Sequence, residues 1–404
     1  MDIFYPLVQS IVILAMVLIF FGSMFVRLVF KGHRMPQDYS HTPTVTVLMS
    51  CFNEGEAVYQ TIKTVLESDY PADKLFIVAV DDCSKDDSWE WMQKAAEGHA
   101  NVTVIRNEKN FGKPKSLLKA LALSNSELIL NIDSDGVLHK RAIIELTSCF
   151  IDEKVGAVGG NVMVRNSETN WLTQLQTLQY NTAFQMSKVT ETFAGAVSCI
   201  SGAIFMIRRQ IYVDMIPAIK GRNWLGFEVK DGEDRFMTNI VINMGYTAVV
   251  NNRAKVFTDV PENFKSFFSQ QIRWRRGFVR MLIWSLKFKN LRDKLKHTTP
   301  FSFFRFYMMC LLMFMIPAMI SWVLITHGIV ALVLFKLQAV ILMICVHGLN
   351  YLIAKSIGNP IHLGITPFIV APFWMLVDLT LLTALALLTL TSVSWETRVI
   401  GTDK

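Results

Sequence analysis

The chain has 404 residues, a formal net charge of +7 and 52% hydrophobic residues, enough for one soluble domain of ordinary size plus several apolar spans. Its six cysteines, Cys51, Cys83, Cys149, Cys199, Cys310 and Cys345, are scattered without metal-site spacing and read as thiols of a reducing compartment. The basic excess reads as juxtamembrane charge, and no zinc-finger or RNA-binding motif points to nucleic acid.

Val8 to Val26 is almost purely apolar, long enough for a membrane-spanning helix and poor in a small-residue cleavage site. It reads as a retained anchor within residues 1–34. Only Asp2 precedes it, whereas Arg27, Lys31, His33 and Arg34 follow, which places the next domain in the cytoplasm of a multi-pass plasma-membrane protein. From residue 43 to 262 the chain has α/β character. "TVTVLM" (Thr44 to Met49), "LFIVAV" (Leu75 to Val80), "VTVIR" and "LILNI" (Leu128 to Ile132) are strand-like. "EGEAVYQTIKTVLES" and "KSLLKALAL" between them are helix-like, and Ser84 with Asp87 resembles a capping box for a helix running to Lys94. This alternation predicts a mainly parallel sheet with both faces covered, which binds ligands beyond the carboxyl ends of its strands.

Acidic residues stand at those ends: Asp81 and Asp82 after the second strand, Asp133 and Asp135 after the fourth, and later "DGEDR" (Asp231 to Arg235). Any one of them reads equally as a helix cap. Three such clusters together predict a hard cation, Mg²⁺ or Mn²⁺, because gathered carboxylates repel one another. No Walker-type loop or GxGxxG follows the first strand, which removes the main support for an NTPase or a dinucleotide dehydrogenase.

The ordered motifs "SCFNEGE", "VDDCSKDD", "NIDSDG", "SGAIFMIRR", "GEDR" and "QQIRW" resemble the membrane-bound processive family 2 glycosyltransferases, which include hyaluronan, chitin-oligosaccharide and cellulose synthases. The resemblance runs from about Thr44 to Trp274. "FEVKDGEDRFMTN", "VFTDVP" and "WETR" look most like hyaluronan and related capsule synthases. It implies a GT-A-like, Rossmann-type domain and a UDP-sugar donor. Asp82, with Asp81, would contact uridine, and Asp135 would ligate the cation at the diphosphate. Asp133 would serve the ribose or the metal shell, and Lys113 would lie near the nucleotide, though it also reads as an exposed helix-start lysine. Asp234 would be the general base of an inverting displacement, although Glu233, Asp234 and Arg235 also read as a salt-bridged surface turn. Ser201 and Gly202 match a small-residue acceptor shelf. Related hyaluronan synthases often carry cysteine where this chain has Ile200, so the shelf's contacts and the sugar identity stay open.

Residues 263–300 read as amphipathic interfacial helices carrying "QQIRWRRGF", with Phe264, Phe267, Phe268 and Trp284 on an apolar stripe. At helical spacing Gln270, Arg273, Trp274 and Gly277 share a side. Arg273 would neutralise the leaving diphosphate, Trp274 and Gln270 would hold the acceptor sugar, and Gly277 would admit a close neighbour. Arg276 and Arg280 would face lipid phosphates. Residues 301–393 read as membrane helices forming a polymer channel: Phe303 to Ile325, Ala331 to Ala354, and a broken or re-entrant segment from Ile361 to Thr391 that carries Pro367, Pro372 and Asp378. Lys336 would snorkel outward or line the channel. The tail, residues 394–404, holds "WETR", whose Trp395 and Arg398 would fold back beside the donor or simply anchor at the interface.

Three functions follow from this reading. The first is a processive synthase of a β-linked polysaccharide, hyaluronan-like or a chitin-oligosaccharide or poly-N-acetylglucosamine, that also passes its product across the membrane. The others are a single-transfer enzyme acting on a lipid acceptor, and a nucleotide-binding transporter or receptor.

Overall fold

In a computed structural model the described residues are 35–193, 197–229, 232–287 and 363–391, with residue 10 and short stretches between 322 and 355. The strands are β1 (Val45–Cys51), β2 (Leu75–Asp81), β3 (Val102–Arg106), β4 (Leu128–Asp133), β5 (Val137–Leu138), β6 (Val155–Val164), β7 (Ile204–Arg208), β8 (Asn223–Trp224), β9 (Phe227–Glu228) and β10 (Thr247–Thr258). Eight of them form one sheet in the order β3-β2-β1-β4-β7-β6-β10-β5, while β8 and β9 make a separate hairpin. Parallel pairing joins β3, β2, β1 and β4, and separately β6 and β10. The antiparallel strands β7 and β5 interrupt this pattern.

Side-chain alternation along β1 divides the core into two layers. Val45, Val47, Met49 and Cys51 enter one layer with α1 (Ala57–Leu66), α2 (Ser88–Ala96) and α4 (Ala142–Thr147). Leu48 enters the other with α3 (Lys113–Ala122), α7 (Arg209–Asp214) and α9 (Glu233–Asn243). Helix α1 buries Val58, Thr61, Ile62 and Val65, a spacing that keeps one stripe on the sheet. The remaining helices of the domain are α5 (Trp171–Asn181), α6 (Lys188–Phe193) and α8 (Ile216–Lys220). Strand β6 needs its glycines: a Cβ on Gly156 would lie 2.6 Å from Tyr246 Cβ, and one on Gly160 would lie 2.5 Å from the Ala254 carbonyl oxygen.

The four leading strands and their helices match the sequence expectation to within a few residues. The capping box at Ser84 does not form. Helix α2 begins at Ser88, whose N–H and hydroxyl donate to Asp86, while the Ser84 hydroxyl accepts from Asn53 N–H. The real capping box opens α5, where Asn170 accepts from Leu172 and Thr173 N–H.

After β10 the 24-residue helix α10 (Phe264–Lys287) lies against the domain. It is followed, among described elements, by α11 (Thr366–Val377), a π-helical turn (Asp378–Leu382) and α12 (Thr383–Leu388). Pro372 lies inside α11, and the apolar pair Thr366–Met375 and Thr380–Leu388 is bent by 44°. The chain thus bends within the segment read as broken or re-entrant. Leu172, Leu175 and Leu178 of α5 pack with Phe267, Ala371, Trp374 and Leu382 into a satellite core. One expectation is corrected here: Arg276 and Arg280 are buried, and Arg280 donates from Nε (3.1 Å) and Nη2 (2.7 Å) to the Leu390 carbonyl. The face assigned to lipid phosphates is covered by the chain's own C-terminal apolar segment. Among the described residues no single helix is long and apolar enough to cross a membrane. Val8 to Val26 apart from residue 10, Phe303 to Ile325 apart from its last residues, most of Ala331 to Ala354 including Lys336, and the tail with Trp395 and Arg398 lie outside the described residues.

Candidate active site

The site begins where parallel strands end. Ser50 of β1 is in register with Asp133 of β4, and Cys51 with Asp81 of β2, so both acidic motifs open on one edge of the sheet. Asp81 is fully buried. Its Oδ2 lies 2.9 Å from Arg106 Nε across the β2–β3 pair, and its Oδ1 accepts from Ser84 N–H. Asp82 is equally buried and clasps the loop before α3: Oδ1 accepts from Asn107 Nδ2 (2.8 Å) and Phe111 N–H (2.9 Å), Oδ2 from Gly112 N–H (2.7 Å). Gly112 adopts φ +85°, a backbone state suited to glycine, and hands the chain to α3 at Lys113. Asp82 thus positions Lys113.

Lys113 is not an exposed helix-start lysine. Its side chain is 13% exposed, forms an ion pair with Asp133 and lies 3.4 Å from Glu233 Oε1. Burial works against its charge, but Asp133 and then Glu233 outweigh that effect and hold the ammonium's pKa above the ordinary lysine value. Asp133, 20 residues from Lys113, and Glu233 at the start of α9 are thereby gathered on one cation. Gly202 lies behind them: a Cβ there would be 3.5 Å from Lys113 Nζ and from Asp234 Cβ. Its N–H donates to Asp234 Oδ2 at 3.4 Å, and Arg235 N–H donates to Oδ1 at 2.7 Å. Ser201 supports the same turn, its hydroxyl accepting from Ala203 N–H. Glu233 reaches Lys113 and Arg235 lies over the Phe278 ring, so this is not a self-contained surface turn. Ile200 is buried on Gly159, which leaves room for its branched side chain.

Tyr180 was not singled out in the sequence, yet it joins the two halves of the site. Burial raises its phenol pKa, and the negative charges of Asp135 and Asp133 raise it further, while Arg273 opposes them. All three charges therefore act on this one phenol. Trp274 is 43% exposed, with its ring centroid 6.3 Å from that of Tyr180, and Gln270 Oε1 is buried without a hydrogen bond from the described residues. "QTLQYN" reads as ordinary helix, so nothing in the local sequence marks Tyr180. Among the described residues no three His, Cys, Asp or Glu side chains form a metal cage. A Mg²⁺ or Mn²⁺ site built from two carboxylates plus donor phosphates needs none, and Asp133 and Asp135 would be its two carboxylates.

Helix α10 meets the acidic turn at two points. A Cβ on Gly277 would lie 3.6 Å from Gly232 Cα, which identifies the close neighbour expected of that glycine. Phe236 packs at a tilt against Trp284, with 4.6 Å between ring centroids.

Comparison with known proteins bears on the family and the fold. The family described as "Glycosyltransferase like family 2" matches residues 43–277. A hyaluronan synthase of Streptococcus pyogenes is 32% identical over 285 residues, 69% of this chain and 66% of the relative, so the match spans just under two thirds of that protein. An N-acetylglucosaminyltransferase of Rhizobium leguminosarum bv. viciae is 32% identical over 242 residues, 59% of this chain and 56% of the relative. The structure of a mannosyltransferase from Pyrobaculum calidifontis, solved with GDP-Man and Mn²⁺, is similar with a TM-score of 0.64 and 18% identity, covering 95% of this chain and 99% of that one. The chain therefore belongs to the family 2 glycosyltransferases, and its α/β domain has a GT-A-like fold.

Proposed function

We propose that the protein is an inverting glycosyltransferase that adds sugars from UDP-sugar donors to a growing β-linked polysaccharide, processively, and moves the product across a membrane. The observation that carries this reading is the Lys113 junction, which gathers Asp133 of "DSD", Glu233 of "GED" and the Gly202 shelf beside Asp234. The resemblance to a hyaluronan synthase and to an N-acetylglucosaminyltransferase supports a UDP-sugar donor.

Asp234 takes the proton from the acceptor hydroxyl as its oxygen bonds to the anomeric carbon. The bond from that carbon to the diphosphate oxygen breaks on the opposite face, UDP departs, and an α-linked donor yields a β-linkage. Arg273 stabilises the charge developing on the diphosphate. Asp135 and Asp133 would hold a Mg²⁺ or Mn²⁺ ion, which would supply further positive charge to the diphosphate. Trp274, exposed beside Tyr180, offers a flat apolar surface to the terminal sugar, and Gln270, Ser201 and Gly202 line its polar edge. Asp82 serves the nucleotide side by holding the Phe111–Lys113 loop, with Asp81 behind it. Spans before residue 35 and after residue 300 supply the channel and the lipid contact. Trp395 and Arg398 of the tail fold back beside the site and help hold donor or acceptor.

Purified full-length protein, tested for UDP release with UDP-sugars singly and in pairs, decides the reading. Release with chains of many sugars is expected. One added sugar would replace processivity by single transfer, and binding without release would leave a nucleotide-binding module.

A further inference from the structure

Asp378 sits at the break of the C-terminal apolar segment, as the first residue of its π-helical turn. A carboxylate there is costly in apolar surroundings unless it is paired. Its partner is Arg275 of α10; the two side chains are 26% and 15% exposed. The Arg275 guanidinium lies 5.8 Å from the centre of the Phe278 ring, and that ring also carries the Arg235 guanidinium at 5.1 Å. Arg235 immediately follows Asp234, whose carboxylate accepts the Arg235 N–H. A continuous line of contacts therefore runs from Asp378 through Arg275 and Phe278 to Arg235 at the base-bearing turn. The Gly277–Gly232 contact runs alongside it, and Arg280 ties α10 to the Leu390 carbonyl on the segment's far side of the break.

We infer that Asp378 is a positioning residue for the turn Gly232–Arg235, acting through Arg275 and Phe278. The segment read as part of the channel thereby holds the turn that carries the base. The inference rests on the reading of Asp234 as the base, but the contacts it uses do not. Arg275 faces the break, whereas Arg273 and Trp274 face the donor and acceptor, so one helix ties the apolar segment to the chemistry. Loss of the Asp378 charge removes the carboxylate that pairs with Arg275 at the bend, whereas reversing both charges keeps the pair.

The test uses the full chain in phospholipid nanodiscs, with amide exchange and UDP release measured on the same samples. In Asp378→Asn, exchange across Glu233–Asn243 should rise about tenfold, as the helix start opens locally. The reversed pair, Arg275→Asp with Asp378→Arg, should return it to within about twofold of wild type, since contacting partners couple. Asp378→Glu should match wild type and so separates a lost ion pair from a misfolded chain. The kcat of Asp378→Asn should fall about tenfold with the donor KM within about twofold, as for a residue acting on the transition state and not on donor binding. Unchanged exchange at Glu233–Asn243, or altered exchange with unchanged kcat, would overturn the inference. Absence of UDP release from the wild type would overturn the functional reading instead, and the exchange result would still decide the clasp.

Discussion

Gly277 of the "QQIRWRRG" helix rests on Gly232, the residue that opens the "GEDR" helix, with backbone meeting backbone. The two motifs lie 45 residues apart in sequence numbering. Gly232 adopts φ +67°, which a residue with a Cβ rarely holds. A single methyl on Gly277 would make ordinary contact at 3.6 Å. Gly277→Ala should therefore keep near-normal UDP release, whereas Gly277→Leu should push the helix from the turn and lower kcat at least about tenfold, an ångström-scale misplacement being enough. Steady-state kinetics of the two variants, with UDP binding as a control, checks this.

Gly159→Ala should destabilise the fold, because the new Cβ would lie 2.5 Å from Ile200 Cγ2 inside the sheet layer. The expected cost is about 1–3 kcal/mol, the usual range for overpacking a core. The double variant Gly159→Ala with Ile200→Ala should recover at least half of it. Thermal unfolding of the three proteins measures the recovery.

Asp82→Ala should free the Phe111 and Gly112 amides, raising their exchange, and weaken UDP binding because Lys113 loses its anchored helix start. A charged hydrogen-bond acceptor of this kind contributes about 1.5–3 kcal/mol. Calorimetric titration with UDP, together with exchange at those two amides, tests both halves of the expectation.

The four leading strands were legible because each is an apolar run ending in aspartate or a turn, and their parallel order follows from the alternation with helices. The antiparallel insertion of β7 was not, since "AIFMIRR" carries no local sign of the strand it joins. The acidic motifs were legible as motifs, but the Lys113–Glu233 contact joins residues 120 positions apart in numbering and has no periodicity to announce it. Tyr180 was hidden for the same reason. Arg276 and Arg280 were assigned to lipid because a cation on an amphipathic helix has two apolar-edge environments. Only the fold shows that Leu390 takes one of them. Ser84 and Asp87 had the spacing of a cap, yet the loop after β1 captures Ser84 first.

The raised pKa of Lys113 sets a pH window. A folded value above the unfolded one means that the pairing stabilises the protein at all pH values below the unfolded lysine pKa of about 10.4 and fades only as pH rises through the folded value. The stability difference between wild type and Lys113→Met should therefore be flat from about pH 6 to 9 and shrink only above about pH 10.5. Urea unfolding at spaced pH values reads it directly.

The central claim is that Asp234, held by the Gly202 and Arg235 amides beside the Lys113 junction, is the base that receives the acceptor proton. Asp234→Asn keeps the shape and removes the proton acceptor. UDP release by this variant, measured at saturating UDP-sugar alongside its donor affinity, tests the claim most directly. The account predicts donor binding close to wild type and a kcat lower by at least about a hundredfold, the range for loss of a general base. Near-normal turnover in Asp234→Asn would contradict it.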